Sequence, residues 1–366
     1  MSLRIALLPG DGIGPEVTAE AVRVLKSVAE HSGKSFTFTT HLVGGAAIDQ
    51  HGAGLPHDTL EACLGAQAVL LGAVGDPKFD GRLPSERPEA ALLALRQALG
   101  GFANLRPAVC YPPLAKRTPF QPDRVRGANL LIVRELLGGL YFGEPRGFEA
   151  SGDTAFNTLI YSRHEIERVA RVAFDRARER KKRLASIDKA NVLETSRLWR
   201  AVVSQIGQEY PDVALEHVYI DTCAMRLAMT PASFDVILAD NLFGDILSDQ
   251  AASIAGSLGL LPSATIGGKV GLYEPVHGSA PDIAGKGLAN PIGAIASAAM
   301  MLRFTFGMDR EAADIEHAIE EALSSGARTK DLAGPGERVL STQEMGQAID
   351  EALIESRERR HSYHAV

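Results

Sequence analysis

Arg4-Ile5-Ala6-Leu7-Leu8, followed by Pro9-Gly10-Asp11-Gly12-Ile13-Gly14-Pro15-Glu16, decides between two architectures. The apolar run reads as a buried strand, the glycines as a tight turn, and Glu16 to Glu30 as a helix. A strand, a GxGxG turn and a helix invite a dinucleotide-binding reading. Two details oppose it. The third glycine falls one position early for GxGxxG, and no acidic residue ends a second strand about 20 positions on. Pro15 suits the first turn of a helix, so the segment reads as a capped turn, not a Rossmann phosphate loop. Its glycines still let backbone approach a ligand closely.

Outward from this unit, short apolar runs alternate with helical patterns, as in an α/β protein. Ser35 to Val43 is β-rich, and Ala68 to Ala73, Leu130 to Arg134, Leu184 to Ile187, His217 to Ile220 and Asp235 to Leu238 read as strands. Pro88 to Leu99, His164 to Lys182 and Phe243 to Ala255 read as helices, and the tail from Arg310 as two more. Gly138 to Ile160, rich in glycine and aromatics, reads as a hairpin excursion.

A chain of 366 residues fits two domains better than one. An apolar fraction of 45% suffices for full cores, and the mean hydropathy is close to zero. No apolar run reaches the roughly 18 residues of a membrane span, and no secretory signal is expected from the start. A net charge of −7 argues against nucleic-acid binding but leaves room for an anionic substrate held by local arginines. The basic run Arg176 to Arg183 suits the end of a helix and reads as a solvated face. Cys63, Cys110 and Cys223 lack metal spacing and fit buried thiols in a reducing cytoplasm.

The chemistry concentrates in Asn241-Leu242-Phe243-Gly244-Asp245-Ile246-Leu247-Ser248-Asp249. Asp245 and Asp249 are four apart on a helix, so both carboxylates project from one face. Like charges stacked this way repel unless something positive lies between them, and a hard divalent cation is the natural candidate. Ile246 and Leu247 are expected on the buried side. Arg96, Arg106 and Arg134 stand near element ends and offer planar donor forks for a small polyanion. Lys189 follows a strand and suits a base, Asp221 ends another, and Tyr141 in the glycine-rich hairpin suits an acid.

These segments together resemble the isocitrate/isopropylmalate family of β-decarboxylating dehydrogenases. The matching pieces are LLPGDGIGPEV, ALLALR around Arg96, NLRPAV around Arg106, VRELLGGLYFG, DKANVLETS around Lys189, NLFGDILSDQAA and YEPVHGSAPDIAGKGLANP from Tyr273 to Pro291. They occur in order along essentially the whole chain. The resemblance implies two α/β domains with a cleft between them: 1–101 plus 256–366 for NAD, and 102–255 for metal, substrate and dimerisation through the hairpin arm. It implies that Arg96, Arg106 and Arg134 bind the malate carboxylates, and that Asp245 and Asp249 hold Mg²⁺ or Mn²⁺. Asp221 joins that metal from the partner of a homodimer, Lys189 crosses with it as the base, and Tyr141 is the acid. NAD would lie along Glu274, His277, Gly278, Ser279, Ala280, Asp282 and Asn290, with Ile13 near the nicotinamide.

Within the family the likeness is closest to members acting on 3-isopropylmalate. Ala90 and Leu92 are apolar where isocitrate enzymes carry polar residues for a third carboxylate, so Leu92 is expected against an alkyl group. A glycine is more usual where Ala91 stands, and the extra methyl is expected to crowd this helix slightly. Tartrate, homoisocitrate and other alkylmalate enzymes are the alternatives, with a noncatalytic regulatory paralogue as the non-enzyme one. The intact set Tyr141, Lys189, Asp221, Asp245 and Asp249 opposes the last.

Overall fold

The computed structural model describes residues 2–364; Met1, Ala365 and Val366, assigned above to the NAD domain, lie outside the described residues. The chain folds into two compact units, one of residues 1–101, 111–117 and 255–366, the other of 102–110 and 118–254.

In the first unit the strands run in the order Ser35–Thr40, Ser2–Gly10, Ala68–Ala73, Gly271–Pro275, Pro262–Ile266. The first four are parallel, and the last is antiparallel to its neighbour. Ala68–Ala73 is buried along its whole length, which explains a continuous apolar run in place of alternation. The Gly14–Ser32 helix begins two residues before the expected Glu16 and ends at Gly33, whose φ of 66° closes the last turn. The Ile292–Phe304 helix is buried on nearly every side. With no polar stripe it offers no amphipathic signature, so the sequence pattern passes over it. Burying each large aliphatic side chain here contributes about 1.5–3 kcal/mol.

The second unit orders its strands Ala103–Val109, Asn129–Glu135, Val236–Ala239, Arg183–Asp188, Ala214–Tyr219. The first pair is antiparallel and the rest are parallel. Four parallel strands therefore deliver their carboxyl ends together: Arg134 and Glu135, Asp240 and Asn241, Asp188 and Lys189, and Tyr219 just before Asp221. Asp221 lies in the first turn of the Ile220–Met229 helix, two residues past its strand. In open α/β sheets this end carries the functional groups.

The Arg163–Arg178 helix opens with a capping box formed by Ser162 and Glu165. Its basic end is a face of ion pairs: Arg176 with Glu179, Arg178 with Asp212, and Arg180 with buried Asp235. The excursion after Gly138 forms only two antiparallel two-residue strands, Gly147–Phe148 and Ala155–Phe156. No helix among the described residues is long and apolar enough to cross a membrane.

Candidate active site

In the first unit the Pro9–Glu16 turn uses its glycines against protein. Gly10 and Gly12 have φ of 72° and 57°, and a Cβ on Gly12 would lie 2.0 Å from the Ser279 carbonyl oxygen. Ile13 N donates to that same carbonyl at 2.8 Å. The turn is therefore seated on the 277–282 loop. Asp11 fixes it further, accepting from the backbone N–H of Gly45, Ala46 and Gly75 at 2.8–2.9 Å. Glu16 accepts from Gly285 and Gly287, which ties the far side of the loop to the helix start.

Ile13, Glu274, His277, Ser279 and Asn290 are buried in this unit, while Gly278 and Asp282 are exposed. Ala280 takes a left-handed φ of 40°, a conformation costly for a residue with a Cβ. His277 Nδ1 lies 2.9 Å from the Gly278 carbonyl oxygen, and its Nε2 is buried with no protein partner. Burial holds its pKa below the ordinary histidine range. A neutral imidazole nitrogen left open beside an exposed glycine and a strained backbone fits a bound heteroaromatic cofactor edge. Asn290 also serves the fold, since its Oδ1 accepts from Ile292 N and caps the buried helix, while Nδ2 donates to Asp331. Arg96 pairs with Glu274 at 2.7 Å, which links two residues expected to serve different ligands.

Leu92 is half-buried against the core of this unit. Ala91 faces that core at 6% exposure, and Gly54 leaves the space for its methyl, with a Cβ on Gly54 falling 3.0 Å from Ala91 Cβ. The expected crowding is therefore absorbed by a glycine on a neighbouring loop.

In the second unit the chemistry gathers on Asp245. Its Oδ1 accepts from Arg134 Nη1 at 2.5 Å and Arg106 Nη1 at 3.4 Å, and its Oδ2 from Tyr141 Oη at 2.5 Å. Arg106 also lies 3.9 Å from Asp249. The positive charge expected beside the two carboxylates is supplied in part by two guanidinium groups, Arg134 and Arg106 on Asp245 and Arg106 near Asp249. The case for a hard cation rests on the donor set, two carboxylates one turn apart with side chains 33% and 68% exposed. Those oxygens fit Mg²⁺ or Mn²⁺. The expectation for Ile246 is corrected, since it stands 55% exposed while Leu247 is fully buried. Burial and the Asp245 carboxylate push the Tyr141 hydroxyl above its usual pKa, so it holds its proton at neutral pH.

Lys189 Nζ donates to Asp221 at 2.8 Å and lies over the Tyr219 ring. Among the described residues no three His, Cys, Asp or Glu side chains are grouped to hold a metal.

Three participants escaped the sequence reading. Asn104 accepts from Arg106 Nε at 2.6 Å; the two stand i and i+2 on one strand, so they share a face and the spacing alone carried the signal. Ser248, between the two aspartates, accepts from Arg106 at 2.6 Å. Asn241 holds Arg134 through its side chain and its carbonyl. Beside it, Asp240 caps the helix through Phe243 N and is pushed by burial to about 6. Its raised folded-state pKa favours folding below the unfolded carboxylate range, and that contribution is lost as pH rises through about 6. Asp240→Asn keeps the cap acceptor, so it should stabilise the protein by up to about 3 kcal/mol above pH 7 and not near pH 4. Thermal melts across that range check this; an equal shift at both ends would contradict it.

Residues 4–349 match the family described as isocitrate/isopropylmalate dehydrogenase. This chain belongs to that family. The family member from Moorella thermoacetica, a 3-isopropylmalate dehydrogenase, is 56% identical over 354 residues, covering 96% of this chain and 99% of that one. The 3-isopropylmalate dehydrogenase of Geobacillus kaustophilus is 55% identical, with 96% of each chain covered. Among solved structures, isocitrate dehydrogenase from Methylococcus capsulatus matches with a TM-score of 0.85 at 37% identity, covering 96% of this chain and 99% of that one. A β-decarboxylating dehydrogenase from Thermococcus kodakarensis matches with a TM-score of 0.79 at 37% identity, covering 96% of each. The isopropylmalate/isocitrate dehydrogenase-like α/β fold follows, and with it an oxidoreductase of the β-decarboxylating class. A noncatalytic paralogue is disfavoured by the intact acidic, basic and tyrosine set.

Proposed function

We propose that this enzyme oxidises and decarboxylates 3-isopropylmalate with NAD and Mg²⁺ or Mn²⁺, in cytoplasmic leucine biosynthesis. The observation that carries the reading is near-full-length identity above 50% to relatives named for this substrate, joined to the arginine, tyrosine and carboxylate cluster on Asp245. Arg96, Arg106 and Arg134 hold the malate carboxylates as donor forks. Asp245 and Asp249, with Asp221 of a second protomer, would hold the cation, which when bound supplies Lewis acidity to the C2 hydroxyl and the enolate. Lys189 takes the hydroxyl proton. Ile13, Glu274, His277, Gly278, Ser279, Ala280, Asp282 and Asn290 would hold NAD, which when bound would supply the hydride acceptor for C2. Loss of CO₂ leaves an enolate, and Tyr141 returns a proton to carbon. We assign residues 1–101 plus 256–366 to NAD and 102–255 to substrate, metal and dimerisation.

A homodimer is supported by exposed apolar side chains concentrated in the second unit: Val192, Met225, Met229, Ile246, and Phe148 and Ile160 on the excursion.

The test is an NADH-formation assay over isopropylmalate, isocitrate, homoisocitrate, malate and tartrate. Leu92 against one or two methyl groups is expected to favour isopropylmalate over malate by about 10- to 200-fold. Exposed Asp282 should accept from the adenosine ribose hydroxyls and repel a 2′-phosphate, so NAD should be preferred to NADP. Faster turnover of isocitrate than of isopropylmalate overturns the substrate, and equal efficiency with both cofactors overturns the role of Asp282.

A further inference from the structure

We infer that Asn241 is the positioning residue that sets Arg134 and the Tyr141 turn together, through a buried hub completed by Tyr161 and Glu135. The inference rests on the roles proposed above for Arg134 and Tyr141.

Asn241 is 1% exposed and its side chain is fully used. Oδ1 accepts from Arg134 Nε at 3.1 Å and Nη2 at 2.7 Å, and the Asn241 carbonyl accepts from Nε at 2.9 Å. This fixes one edge of the guanidinium and leaves Nη1 directed at Asp245. Nδ2 donates to the carbonyls of Leu136 and Gly138, both at 3.0 Å. Those carbonyls belong to the chain between Arg134 and the Gly139–Tyr141 turn. One amide therefore grips both ends of the segment that separates the fork from the acid.

Below it, Asn241 N donates to Tyr161 Oη at 2.9 Å, and that hydroxyl donates to buried Glu135 at 3.1 Å. Glu135 accepts from Leu137 N at 3.0 Å and Gly138 N at 2.8 Å, gripping the same segment from the opposite polarity. The Tyr161 ring is itself fixed, edge-on to Trp199 at 5.6 Å. Gly139 lies so close that a Cβ there would fall 2.6 Å from Tyr161 Oη. Every polar group in this hub meets a complementary one, which is the condition for a buried network to impose a single geometry. Displacement of a catalytic group by about 1 Å can cost roughly 100-fold in rate, so such a grip has kinetic consequences.

Asparagine is the only side chain of this size that supplies an acceptor to Arg134 and a donor to the turn, and two variants separate these roles. Asn241→Asp keeps the acceptor and loses the donor: kcat should fall about tenfold while KM for isopropylmalate stays within about twofold. Asn241→Ala loses both: kcat should fall similarly and KM rise about tenfold. Tyr161→Phe, which deletes only a hydroxyl, should lower kcat several-fold with KM unmoved, and it keeps the test open if an Asn241 variant does not fold. Circular dichroism and Mn²⁺ affinity by electron paramagnetic resonance accompany each variant. A merely structural role would lower melting temperature and active fraction in all three without moving KM, and that outcome overturns the inference, as does a kcat near wild type in Asn241→Asp or Tyr161→Phe. Arg134→Ala is run alongside. If it raises KM while Asn241→Ala does not, the inference alone fails; if Arg134→Ala leaves KM unchanged, the underlying reading falls and the inference with it.

Discussion

Asp245→Asn should lower turnover by about three orders of magnitude, while Asp249→Asn should cost less. The two carboxylates look equivalent on a helical wheel, and their surroundings separate them. Asp245 accepts from Arg134, Arg106 and Tyr141, whereas Asp249 is mostly exposed with Arg106 3.9 Å away. Removing the Asp245 charge therefore removes a proposed cation ligand and also the anion that Arg134, Arg106 and Tyr141 all donate to. Excess chelator should abolish activity, and Mg²⁺ or Mn²⁺ should restore it. The measurement is kcat on protein whose circular dichroism matches the parent. Full activity in excess chelator would sink the metal assignment, and equal losses in the two variants would sink the distinction between the aspartates.

Mixing two inactive variants, Lys189→Ala and Asp245→Ala, under subunit exchange should restore about a quarter of parental activity. The reason lies in what one chain supplies. Asp245 and Asp249 give only two carboxylates, and no third acidic or imidazole side chain joins them among the described residues. A divalent cation of this kind takes about six oxygen ligands, so a third carboxylate from a second chain is a natural completion. Lys189 and Asp221 are bonded to each other, so they would travel as a unit. Random pairing makes about half the dimers mixed, each with one site of two intact halves, hence about a quarter of the activity. If both groups served one chain's own site, every site would carry a lesion. No recovery after verified exchange would therefore rule out sharing.

The sequence by itself determined the α/β class, because buried parallel strands such as Ala68–Ala73 must be continuous apolar runs and their connecting helices must be amphipathic. It also singled out Asp245, Asp249, Arg106, Arg134, Tyr141 and Lys189 as candidates, since they sit in short segments whose residue types suit acid, base and anion-binding roles. Strand periodicity put Asn104 and Arg106 on one face, but their hydrogen bond was seen only in the structure. What it did not fix was how charges are balanced. Helical spacing set Asp245 and Asp249 on one face, but only the antiparallel pairing of Ala103–Val109 with Asn129–Glu135 brings Arg106 and Arg134 to that face. The periodicity that buried Leu247 was wrong for Ile246, because which edge of a helix meets the core depends on what packs beside it. The Pro9–Glu16 turn teaches the same lesson. Its glycines were legible as close approach, but the partner is Ser279, more than 260 residues along the chain. Local pattern fixes conformation and polarity because both are properties of a few adjacent residues. Who neutralises a charge, or which backbone fills the space beside a glycine, is settled by contacts between distant segments, and those exist only once the sheets have assembled.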